Sequence, residues 1–75
     1  MSASPLLRRH EVTASATSEI GRRLLAHFYV RQPLVLPQEH LPKGVSPQTR
    51  WVVSNFEQKR HPGDQILTFF LLEAP

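Results

Sequence analysis

Seventy-five residues, 40% of them apolar and 20% charged, suit one small domain with a near-average globular composition, which excludes a wholly disordered chain. Nine Lys and Arg against six Asp and Glu leave a formal charge of +3, a slight excess rather than the concentrated basicity of a dedicated nucleic-acid binder. Without cysteine there are no disulfides, thiolate metal sites or cysteine nucleophiles, and so short a chain has little room for an enclosed substrate cavity.

In chain order, residues 1–5, "MSASP", have the small polar character of a frayed terminus. "MSASPLLRRHEV" contains no hydrophobic signal core, and the longest apolar run, about seven residues, falls far short of the roughly 20 needed to cross a bilayer as a helix. A reducing, cytoplasmic setting without membrane contact is the expectation. Leu6 to Ala14 alternates weakly, with charged residues on both faces, and predicts an edge strand protected against unwanted pairing.

"TSEIGRRLLAHFYVRQ" predicts an amphipathic helix over about residues 18–30. Thr17 or Ser18 serves as N-cap, Glu19 complements the helix dipole in the first turn, and Pro33 follows the end. At about 100° per residue, Ile20, Leu24, Leu25 and Phe28 form one stripe, with Arg22, Arg23 and Ala26 opposite. Gly21 falls within the apolar stripe, where it costs roughly 1 kcal/mol relative to alanine. Close approach of the helix backbone to its support accounts for it; the competing reading starts the helix after Gly21.

Residues 32–49 hold four prolines. Pro33 and Pro37 bracket "LVL", a short strand suited to a sheet edge because proline cannot donate to a ladder. The remainder reads as an extended, ordered connection that Leu41 and Val45 can anchor.

The C-terminal part predicts an antiparallel hairpin over about 50–58 and 64–73. Strict alternation in "RWVVSNFEQ" sets Trp51, Val53, Asn55 and Glu57 against Val52, Ser54, Phe56 and Gln58. Pro62-Gly63 suits the centre of a type II turn, and poor matching of that turn to strand twist predicts a connection of about four to six residues. In "QILTFFLLEA" both faces are apolar: Ile66, Thr68, Phe70 and Leu72 on one side, Leu67, Phe69 and Leu71 on the other, as in a strand at the centre of a covered sheet.

No chemistry-bearing constellation emerges. His10, His27, His40 and His61 lie in four segments without metal-ligand spacing, the six carboxylates are scattered, no serine sits in a nucleophile motif, and Gly21, Gly44 and Gly63 are isolated. No catalytic residue, metal, cofactor or small-molecule substrate is predicted.

The expected fold is a small α+β domain spanning 1–75, ordered β-α-β-β-β, with one helix on a sheet of three or four mostly antiparallel strands. One helix covers one sheet face, so a second dry face calls for the proline-rich segment or a partner. The leading functional expectation is a non-enzymatic interaction protein, an accessory or regulatory subunit that docks on a protein partner or on itself. Its predicted docking residues are Leu67, Phe69 and Leu71 on the sheet, with Arg22 and Arg23 on a basic helix surface. The alternative is nucleic-acid binding through Arg22, Arg23, Arg50, Lys59 and Arg60, with Trp51 stacking on a base.

Overall fold

The computed structural model describes residues 8–61 and 64–75; at residues 59–61 and 64 it describes the backbone alone. The elements follow in the order β1 (Arg9–Ser15), α1 (Glu19–Val30), β2 (Leu34–Val35), a 3-10 turn (Gln38–His40), β3 (Arg50–His61) and β4 (Asp64–Glu73). The strands form one antiparallel sheet in the order β1-β4-β3-β2, and α1 packs on one of its faces. This is the α+β architecture expected from the sequence, with β4, apolar on both faces, in an interior position.

β1 is an edge strand one residue longer at its end than expected, and Leu6 and Leu7 lie outside the described residues, as does the expected fraying of 1–5. Its Val12 is buried opposite Phe69, whereas Arg9, Glu11 and Thr13 face outward. The entry to α1 is tightly built. The Ser18 hydroxyl donates to the carbonyl of Ser15 at 2.6 Å and accepts from the Gly21 N–H at 3.0 Å, satisfying one of the free donors of the first turn. A Cβ on Gly21 would overlap the Ser15 carbonyl oxygen, which is the close approach that the glycine predicts.

Leu24 is wholly buried, and Ile20, Leu25 and Phe28 pack beside it. The helix ends at Arg31 in the left-handed conformation, φ 57°, where a glycine is the usual occupant.

The proline-rich segment is ordered on the same side of the sheet as α1. Leu34 and Leu36 are buried, Leu41 and Val45 pack against the core, and a turn at Pro42–Val45 uses Gly44 at φ 77°. Helix and segment together therefore cover the face of Leu67, Phe69 and Leu71, which are buried with Trp51 and Val53. No described helix is long and apolar enough to cross a membrane.

Two hairpin expectations are corrected. β3 reaches His61 and β4 begins at Asp64, so the connection is shorter than four to six residues; the turn type at Pro62-Gly63 lies outside the described residues. The alternation of β3 is also broken by a bulge between Val53 and Asn55. Beyond it Phe56 pairs with Phe69 on the core side and Glu57 pairs with Thr68 on the outer side, the reverse of strict alternation. Phe28, Phe56 and Phe69 then form a chain of tilted and edge-on rings, with centroids 5.1 and 5.7 Å apart.

Candidate functional site

The sheet has an inner face, closed by α1 and the proline-rich segment, and an outer face on which no described element packs. The inner face accounts for the docking residues expected from the sequence. Leu67 is 5% exposed, Phe69 0% and Leu71 1%, so their side chains are not available to a partner in this fold. The apolar surface left without cover belongs to the other side of β4.

That outer face is built in rows running across the strands. One row is Val52, Leu72 and Arg9; the next is Asn55, Phe70 and Glu11; the next is Glu57, Thr68 and Thr13; the fourth is Lys59, Ile66 and Ser15, with Lys59 placed by its backbone register alone. Before the first row, Arg50 and Val35 are paired at the start of β3 and also face outward, Val35 being exposed. The result is an apolar stripe along β4 of half-buried Leu72, Phe70 and Ile66, flanked by polar and charged positions on β1 and β3.

Local hydrogen bonds hold the stripe in place. Thr68, the one polar residue inside the run, is buried between neighbouring strands with its Oγ1 3.2 Å from that of Thr13. At the bulge, Ser54 donates through Oγ to the Phe70 carbonyl at 3.0 Å. Around Phe70 the surface sinks into an open depression of about 550 Å³, bordered by Arg9, Glu11, Asn55, Glu57 and Leu72. Among the described side chains, Arg9, Glu11, Arg50 and Glu57 form no ion pair with one another.

The basic residues do not converge. Arg22 and Arg23 are exposed on the side of α1 that faces away from the sheet, whereas Arg50 is exposed on the outer sheet face, on the opposite side of the molecule. Lys59 and Arg60 stand at the far end of β3, and their side chains lie outside the described part. Trp51 is 0% exposed, with its ring 5.8 Å from that of His10 and its Nε1–H without a hydrogen-bond acceptor among the described residues. A wholly buried indole offers no face on which a base can stack.

Of the four histidines, His61 has its side chain outside the described part, and His10 and His27 contact backbone carbonyls. His10 Nε2 donates to the His40 carbonyl at 2.6 Å, which ties the 3-10 turn to β1, and His27 Nδ1 lies 3.0 Å from the Gln32 carbonyl beyond the helix end. His40 approaches its neighbour Glu39 at 3.7 Å, yet among the described residues no group of three or more His, Cys, Asp and Glu side chains could hold a metal ion.

The two dry faces of β4 are thus exchanged relative to expectation: the face of Leu67, Phe69 and Leu71, expected to dock, is the one that the helix and the proline-rich segment cover. The sequence carries only a weak signal, since Thr68 falls among Ile66, Phe70 and Leu72 and Glu73 follows Leu71 on the other face. The roles of Arg9, Glu11 and Glu57 had no such signal, because Glu57 reaches the outer face only through the bulge. No protein-family model, curated protein or solved structure matches this chain.

Proposed function

We propose that this chain is a non-enzymatic interaction protein of a reducing, cytoplasmic setting, an accessory subunit that docks on a protein surface through the outer face of its sheet. The observation that carries the reading is the half-buried stripe of Phe70, Leu72 and Ile66 on a sheet face without a covering element among the described residues. At about 25 cal/mol per Å², burying such side chains against a partner releases several kcal/mol. The polar flanks supply the rim that such an interface requires. Arg22 and Arg23, on the far side of the molecule, form a separate surface rather than part of the same contact.

The test is affinity capture from the native host with nuclease treatment, comparing the natural chain with Phe70→Glu and with Arg22→Glu/Arg23→Glu. Proteins that survive nuclease and are lost only with Phe70→Glu support the reading. Capture that is nuclease-sensitive, or indifferent to Phe70, removes it.

The nucleic-acid alternative keeps Arg22, Arg23 and Arg50 as exposed cations but loses its stacking residue, Trp51. What remains predicts, at most, a weak phosphate-driven association that falls with added salt.

A further inference from the structure

The charges on the outer face are arranged in a pattern that is complementary to itself. Along β1, Arg9 lies beside Leu72 and Glu11 beside Phe70; along β3, Arg50 lies one row before Leu72 and Glu57 one row after Phe70. Arg9 and Arg50 therefore occupy the Leu72 end of the stripe and Glu11 and Glu57 its middle, while Lys59, in register with Ile66, stands at the far end, beyond the row of Glu57. We infer that the partner on this face is a second copy of the same chain, docked face to face about a two-fold axis that crosses the strands between the rows of Phe70 and Leu72. This rests on the docking reading above and names its occupant.

The operation can be followed row by row. A two-fold axis perpendicular to the strands lays β1 over β1 and β3 over β3 of the copy with row order reversed. Leu72 then meets Phe70 of the copy and Phe70 meets its Leu72. Arg9 comes opposite Glu11 and Glu11 opposite Arg9, while Arg50 comes opposite Glu57 and Glu57 opposite Arg50. Two kinds of ion pair, each made twice by symmetry and so four in all, rim a central apolar contact.

The neighbouring arrangements lack this match. Moving the axis onto the Phe70 row sets Glu11 against Glu11. Turning it parallel to the strands lays β1 over β3, with Arg9 facing Val52 and Glu11 facing Asn55, so that no charge meets its opposite. Charge pairs at such a rim fix register and orientation more than affinity, which comes from the apolar stripe.

Size and spacing are consistent. Sheets packed in this way sit about 10 Å apart, a gap that Arg and Glu side chains reaching from opposite sheets can close at the rim. Three strands about 4.8 Å apart and the four overlapping rows from Arg50 to Glu57, about 6.8 Å apart, give roughly 400 Å² per copy, about half that of a standard specific interface and in the range of weak, transient contacts. The expected assembly is a concentration-dependent dimer rather than a permanent one.

The test is sedimentation equilibrium of the full chain over a micromolar to millimolar series, with circular dichroism to confirm that each variant is folded. The natural chain should dimerise, and Phe70→Glu should abolish dimerisation. Arg9→Glu and Glu11→Arg, taken singly, should each weaken it about tenfold, whereas the double exchange Arg9→Glu/Glu11→Arg should restore it to within about threefold, since each charge again faces its opposite. Arg50→Glu and Glu57→Arg give the same cycle on β3 should a β1 variant fail to fold. A natural chain that stays monomeric at millimolar concentration overturns the inference, as does a dimer indifferent to the single exchanges or not restored by the double one. A monomer that still captures another protein through Phe70 would remove the second copy as occupant and leave the docking reading standing.

Discussion

Gly21 in the first turn of α1 lies directly against the carbonyl oxygen of Ser15, the last residue of β1. The helix can therefore begin only three residues after the strand and still lie down on the sheet, because the point of contact carries no side chain. Gly21→Ala tests this. In an exposed helix the exchange gains about 1 kcal/mol; here the methyl group must displace backbone, so a net loss of about 1–3 kcal/mol is expected from urea unfolding. A gain in stability would contradict the close contact.

Arg31 closes the helix with φ 57°, a conformation that a Cβ disfavours. Arg31→Gly should raise stability by about 0.5–1 kcal/mol, after allowing for the added freedom of glycine in the unfolded chain. Arg31→Val, β-branched at the same position, should lower it. Thermal denaturation of the pair is sufficient to read the sign.

The two faces of β4 can be separated by alanine substitution at adjacent residues. Phe69 is 0% exposed on the inner face, so Phe69→Ala should cost about 3–5 kcal/mol, enough to unfold a domain of this size. Phe70→Ala, on the half-buried outer face, should cost about 1 kcal/mol or less in the monomer. Equal costs at the two positions would mean that the outer face is covered as the inner one is.

The bulge at Ser54 decides where Phe56 and Glu57 go. Deleting Ser54 removes the extra residue and leaves a regular ladder in which Asn55, Phe56 and Glu57 keep their partners Phe70, Phe69 and Thr68 and their faces. The deletion variant should therefore keep a cooperative unfolding transition by circular dichroism, and loss of that transition would contradict Ser54 as the extra residue. Ser54→Ala, which keeps the extra residue but removes the hydroxyl donated to the Phe70 carbonyl, should cost only about 1 kcal/mol.

Trp51 reports on its own burial. Its fluorescence should resist quenching by acrylamide and remain unchanged when single-stranded nucleic acid is added, because the indole lies between β2 and β4 partners in the sheet core. A quench on adding oligonucleotide would place the ring at a surface and reopen base stacking.

Local chemistry carried much of the architecture into view. The Ser18 cap, the Ile20, Leu24, Leu25 and Phe28 stripe, and the prolines around Leu34 each act over a few residues, and each produced its element within one or two positions. The strand pair was likewise visible from its alternating residues. What failed was parity: one extra residue at Ser54 exchanges the faces of everything after it in β3, and the residues that require it lie across the sheet in β4 and α1 rather than nearby in sequence.

The candidate site shows the same division. "QILTFFLLEA" is apolar on both sides, and from that alone β4 belongs in the interior of a sheet. Which side meets water depends on where a single helix lands, and that is set by Gly21 seating against Ser15 and by Phe28 stacking on Phe56, contacts between segments distant in the chain or joined by a tight turn. Leu67, Phe69 and Leu71 became core by that choice, and Phe70 and Leu72 became surface. The pairing of β1 and β3 on either side of β4 then brought Arg9, Glu11, Arg50 and Glu57 around the stripe, a juxtaposition that exists only once hydrogen-bonded register has aligned residues as far apart as 9 and 72.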